Sequence, residues 1–133
     1  LSNIKPKHKA LKLLPIEIYK KLPKKDLNDK TISFLVNNYP DSLLLLLESS
    51  NVDSYYKFQI LEALSFAKED SIIIDYLVKY SDDCLPALRE AALYSLYNFN
   101  SSKALHRIEE IEIIDYNDTI REIAKSYLDE IFV

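Results

Sequence analysis

A period of 32 residues constrains this chain more than any other feature of its sequence. The segment Leu88–Leu96 lies 32 residues before Ile120–Leu128 and 32 residues after Tyr56–Leu64. In each copy a base, Lys57, Arg89 or Arg121, is followed three residues on by Ile60, Ala92 or Ala124 and seven residues on by Leu64, Leu96 or Leu128. Six residues ahead of the base stands an oxygen acceptor: Asn51, Asp83 or Asp115. Spacings of three, four and seven place the apolar residues on one helix face. A unit of this length is a helical hairpin that cannot bury that face alone, so copies must stack to share one core. Each acceptor is placed to meet its own or a neighbouring base, giving a ladder along the stack. If its rungs lie at the surface, each contributes only about 0–1 kcal/mol.

The pattern predicts helices near 8–14, 16–22, 28–38, 41–49, 54–68, 70–80, 84–98, 102–114 and 117–132. Asp53 with Ser54, Asp70 with Ser71, Ser101 with Ser102, and Asn117 with Asp118 precede periodic runs and offer side-chain oxygens to the free amides of a first turn. Pro86 suits the first turn of its helix. The β-branched clusters Ile72–Ile74 and Ile111, Ile113 and Ile114 sit between these caps and without hairpin turn residues, so they read as helix and not strand. The 133 residues contain no glycine, where average usage of roughly 7% would supply about nine. Phosphate-cradling loops and primed hairpin turns, which need positive φ, are thereby excluded, and helix stops are expected from Asn, Ser and Asp clusters, of which Asn takes the left-handed conformation at the lower cost. Methionine is also absent, which reads as a fragment or a processed product.

The net charge of −4 is unevenly divided. Residues 1–30 hold nine lysines against Glu17, Asp26 and Asp29, whereas residues 31–133 hold eight bases and eighteen acids. A body with that acidic balance is a poor match for phosphate, so nucleic-acid binding is an unfavoured reading of it. A single cysteine, Cys84, and two separated histidines, His8 and His106, assemble no disulfide and no structural zinc set, which fits a reducing, cytoplasmic setting. His106 and Glu110 share a helix face, and Cys84 is expected to open a helix where the dipole favours a thiolate. A solvated face and a buried or incidental thiol account for them better, and no catalytic, cofactor or metal residue is assigned.

At Asp83, Leu88-Arg89-Glu90-Ala91-Ala92-Leu93 and Leu96, and at Asp115, Ile120-Arg121-Glu122 and Ala124, the chain resembles the HEAT-like helical repeats. The copy at Asn51 and Lys57 departs at both polar positions. The resemblance covers residues 41–133 and implies an all-α, right-handed superhelix (solenoid) of about four helical hairpins, with residues 1–40 a basic capping or degenerate repeat. It also implies that the second helices line a concave side, and that the role is a scaffold, with a minority of such proteins acting on DNA bases or on pigment attachment.

If Tyr56, Ile60, Leu64 and their equivalents face inward, the opposite face carries Phe58, Glu62 and Phe66, then Glu90, Tyr94 and Tyr97, then Glu122 and Asp129. Acids interleaved with tyrosines suit a basic protein partner, since Tyr offers a large contact with few rotatable bonds. The expected function is therefore non-catalytic protein binding, in a specific version an immunity-type inhibitor covering a basic nuclease toxin. The competing reading for Tyr94 and Tyr97 is that they only cover the next repeat. The alternative function is nucleic-acid binding or base repair, with Lys5, Lys7, Lys9, Lys12, Lys20, Lys21, Lys24 and Lys25 forming a basic strip.

Overall fold

The computed structural model describes the backbone of residues 29–50 and 52–133 and the side chains from Phe34 onward within those limits. The expected helices at 8–14 and 16–22, most of the capping segment 1–40 and the acceptor Asn51 lie outside the described residues. Among the described residues the chain is all-helical, with seven α-helices and no strand: α1 Asp29–Asn38, α2 Pro40–Glu48, α3 Ser54–Ala63, α4 Ser71–Tyr80, α5 Pro86–Tyr97, α6 Ser102–Ile114 and α7 Asp118–Ile131. No helix among them is long and apolar enough to cross a membrane.

Polar side chains start the helices as the sequence suggests. Asp53 accepts from the Tyr56 amide, Asp70 from Ile72, Ser101 from Ala104, and Asn117 from both Thr119 and Ile120. The residues preceding α3, α5 and α7 are Asp53, Leu85 and Asn117, so the 32-residue period survives intact in the second helices. Two expectations need correction. Helix α3 is shorter than 54–68: it ends at Ala63, tightens into a 3₁₀ turn over Leu64–Phe66, and Ala67 is already extended toward the next cap. Helix α5 begins at Pro86, not at residue 84, because Leu85 is extended ahead of the proline.

Helices α2, α4, α5 and α6 stop at Ser49, Ser81, Asn98 and Asp115, residue types that the sequence offers for them, but without a left-handed residue. No described residue has positive φ. Asn98 ends α5 in right-handed geometry and donates its side-chain amide to the Tyr94 carbonyl at 2.8 Å, and Asn38 donates in the same way to Phe34 at 3.0 Å. The asparagines satisfy a last-turn carbonyl directly, which removes the need for a left-handed residue.

Helices pack on their chain neighbours and on the helix two positions away: α5 touches α3, α4, α6 and α7. Its sides divide accordingly. Leu88, Ala92 and Leu96, with Ile60 and Leu64 in α3 and Ile120, Ala124 and Leu128 in α7, are buried in one shared core with Ile73, Leu77, Ala104, Ile108 and Ile111 of the first helices. Ser95, fully buried, donates its hydroxyl to the Leu61 carbonyl of α3. On the other flank Arg89 reaches Asp115, in the loop between α6 and α7.

Arg89 and Asp115 form the one side-chain rung of the expected ladder among the described ion pairs. Nε and Nη2 of Arg89 donate to the two carboxylate oxygens of Asp115 at 2.9 and 3.1 Å, while Nη1 donates to the Asp83 and Cys84 carbonyls at 3.0 and 3.3 Å. Side-chain exposures of 8% and 5% show that the rung is buried, contrary to the surface placement assumed above. Arg121 repeats only part of the pattern, bonding the Asp115 carbonyl and Asp118. Burial is the largest influence on the Asp115 carboxyl and raises its pKa. The bonds from Arg89 and the Asn117 amide, and the nearby charges of Arg89 and Arg121, outweigh it and leave the pKa below the usual value. A second joint ties α4 to α2: the Tyr80 hydroxyl donates to the Leu47 carbonyl at 2.8 Å and to Glu48 at 2.7 Å, and Lys79 also donates to Glu48 at 2.9 Å. These bonds, with Tyr80 the stronger influence, lower the Glu48 pKa as well.

Three stability predictions follow from this packing. Leu96→Ala should cost about 2–5 kcal/mol in urea unfolding, because it empties a fully buried site. Arg89→Ala strands a buried carboxylate and should cost about 3–5 kcal/mol, with the double variant Arg89→Ala/Asp115→Ala costing less than the sum of its parts. Since the folded-state pKa values of Asp115 and Glu48 are depressed, their contribution is present above the unfolded pKa of about 4 and is lost as pH falls through the folded values. The urea midpoint should therefore hold from pH 7 to 5 and drop below pH 4, less steeply in Asp115→Asn.

Candidate protein-binding face

With α5 committed on three sides, one side remains to face solvent. Glu90, Tyr94 and Tyr97 lie there, and the same register brings Phe58 and Glu62 of α3 and Glu122, Ser126 and Asp129 of α7 to the same side of the molecule. The eight residues singled out for partner binding do not, however, present themselves equally. Glu62, Glu90, Glu122 and Asp129 are exposed, Tyr94 is partly so, and Phe66 stands out at 78% exposure on the 3₁₀ turn that closes α3. Phe58 is half-buried and packed against the core.

Tyr97 has a different role from Tyr94. Its ring stacks on Tyr127 of α7, centroids 4.1 Å apart and planes 10° from parallel, and its hydroxyl donates to Glu130. That bond raises the Tyr97 pKa, with burial a smaller cause. Tyr97 thus covers the neighbouring helix, the competing reading given above, whereas Tyr94 keeps a free surface. Tyr127 is the participant that sequence reasoning missed. It lies one position before Leu128 on the buried stripe, so its spacing marks it as core; only the stack shows that it supports the outer face.

The electrostatics of the face are mainly acidic, with Lys125 the exposed base beside Glu122 and Asp129. Partial burial of Glu62 and the negative charge of Glu90 raise the Glu62 pKa above the ordinary glutamate value. Tyr127 is shifted upward too, first by burial and then by Glu90, Tyr94, Tyr97 and Glu130. Carboxylates on adjacent second helices therefore act on one another across α3 and α5, and a cationic group brought to this face would relieve that repulsion.

Other candidates are dispersed by the structure. Cys84 is an exposed loop residue two positions ahead of α5, so the helix-start argument for a reactive thiol no longer applies; its carbonyl serves Arg89. Glu110 is engaged by Arg107 at 3.0 Å and is not paired with His106. Among the described residues no group of three His, Cys, Asp or Glu is placed to hold a metal ion. The lysines of the nucleic-acid reading, Lys5 to Lys25, lie outside the described residues. Comparison of the chain with models of protein families, with curated proteins and with solved structures returned no match.

Proposed function

We propose that this chain is a non-catalytic protein-binding module of HEAT-like design, a right-handed solenoid of helical hairpins that receives a basic protein partner on the outer face of α3, α5 and α7. The observation that carries the reading is the pair Glu62 and Glu90. Burial first, and the negative charge of Glu90 on the neighbouring helix second, raise the cost of charging Glu62. An incoming Lys or Arg would ease that cost, would be steered by the field of the face and would be lost at high salt. Tyr94 and Phe66 supply the apolar contact beside the charges. A reducing, cytoplasmic setting fits the exposed, unpaired Cys84. The most specific form of the proposal is an immunity-type inhibitor that covers a basic nuclease.

The test separates stability from binding. Glu62→Gln should leave the melting temperature unchanged or higher, because it removes repulsion. Glu90→Lys and Tyr94→Ala should also keep the fold, since neither side chain is buried. In a pull-down from the native lysate the wild-type chain should retain a basic protein that elutes with rising salt, and all three variants should recover at least tenfold less of it. Equal recovery by folded variants overturns the face, and tight binding to short duplex DNA at moderate salt would favour the nucleic-acid reading instead.

A further inference from the structure

The last two residues of α6 and the loop that joins it to α7 carry the most exposed cluster of large apolar side chains in the interior of the described chain. Ile113, Ile114 and Tyr116 are 76%, 60% and 92% exposed. The repeat itself does not require them. One period earlier the same positions are Ser81, Asp82 and Cys84, while the structural residue between them, Asp83 or Asp115, is kept. The earlier hairpin closes differently, with Ser81 buried after the end of α4, whereas Ile113, Ile114 and Tyr116 stand mostly exposed and outside the buried core of the later one.

Nor is the later loop loose. Asp115 is gripped by Arg89 on one side and accepts from the Asn117 amide at 2.9 Å on the other, its carbonyl takes a bond from Arg121, and Asn117 caps α7. Tyr116 is therefore held between two anchored neighbours. Apolar side chains on a preorganised loop bind with a small ordering cost, the usual condition of a recognition surface.

Charge decides what such a surface fits. Residues 109–118 contain five carboxylates and no base; Asp115, Glu110 and Asp118 are paired with arginines, which leaves Glu109 and Glu112 with no ion pair among the described residues. Arg107 and Arg121 approach from outside this stretch, but both are already held, Arg107 by Ser81 and Glu110, Arg121 by Asp118 and the Asp115 carbonyl. A second copy would set acid against acid, and an anionic lipid surface would be repelled. We infer that the α6–α7 loop is a second docking surface, built to receive an apolar protein segment flanked by Lys or Arg. This inference does not depend on the outer face of the second helices.

The decisive experiment grafts the earlier loop onto the later one: Ile113→Ser, Ile114→Asp and Tyr116→Ser in the full chain, with Tyr116→Ser alone as the milder variant. The probe is a fluorescein-labelled helical peptide with leucines at i, i+3, i+4 and i+7 and lysines elsewhere, read by anisotropy against a matched peptide with serine for leucine. The wild-type chain should bind the leucine peptide at least tenfold more tightly than the serine peptide. The graft should lose that preference with an unchanged melting temperature, Tyr116→Ser should lose part of it, and Glu90→Lys should keep it. The inference is overturned if the graft binds as the wild type does, if the two peptides bind equally, or if the graft loses stability, since the apolar residues would then be packing residues after all. It is overturned equally if the wild-type chain dimerises through this loop in sedimentation and the graft does not.

Discussion

A guanidinium cannot shed its charge, so wherever Arg89 is buried the surrounding chain must satisfy it. It is satisfied by two loops at once: its own hairpin loop through the Asp83 and Cys84 carbonyls, and the following loop through both oxygens of Asp115. That geometry leaves little freedom for how the α6–α7 hairpin sits against α5. Apolar burial on its own specifies register less sharply, because side chains of similar volume such as Leu and Ile interchange at modest cost. A bidentate arginine fixes it, since a shift of one residue would strand two charges in the interior. The pair therefore serves registry more than net stability, and the core residues Leu93, Leu96, Ile120 and Ala124 pack in the register that it sets.

The absence of glycine bears on the same problem. A helical hairpin usually turns through a left-handed residue, and here none of the described residues takes that conformation. Turning is achieved with side chains instead. Asp, Ser and Asn satisfy the first-turn amides, asparagine amides satisfy last-turn carbonyls, and arginines tie off loop carbonyls. Loops closed in this way are short and carry their hydrogen-bond partners within the hairpin, so they stay fixed even where they are exposed.

Much of this was legible before any coordinates, and the reason is periodicity. Every residue assigned to the inner stripe, from Tyr56, Ile60 and Leu64 to Ile120, Ala124 and Leu128, is buried, and all four predicted caps accept the bonds expected of them. What escaped was whatever depends on a neighbour and not on spacing. Tyr94 and Tyr97 look alike in the sequence; only the approach of Tyr127 and Glu130 makes one a brace and leaves the other open. The ladder rung was placed at the surface because Arg and Asp usually are there, whereas the closeness of α5 to the next loop buries it. The early end of α3 and the start of α5 at Pro86 turn on single residues at a boundary, where repeats constrain the chain least.

The distribution of charge then follows from how the bases are used. All three arginines are drawn into loops, where Arg89, Arg107 and Arg121 hold Asp115, Ser81 with Glu110, and Asp118 with the Asp115 carbonyl. Lys79 and Lys103 pair with Glu48 and Asp75 of neighbouring first helices. Cations are thus concentrated in the joints between helices and hairpins, and the outer side of the second helices carries Glu62, Glu90, Glu122 and Asp129, with Lys125 beside the last two. An acidic face on this body is therefore partly a consequence of how the stack is fastened. What the fastening does not account for is the placing of Glu62, whose partial burial, with the charge of Glu90 on the next second helix added to it, makes the carboxyl harder to ionise.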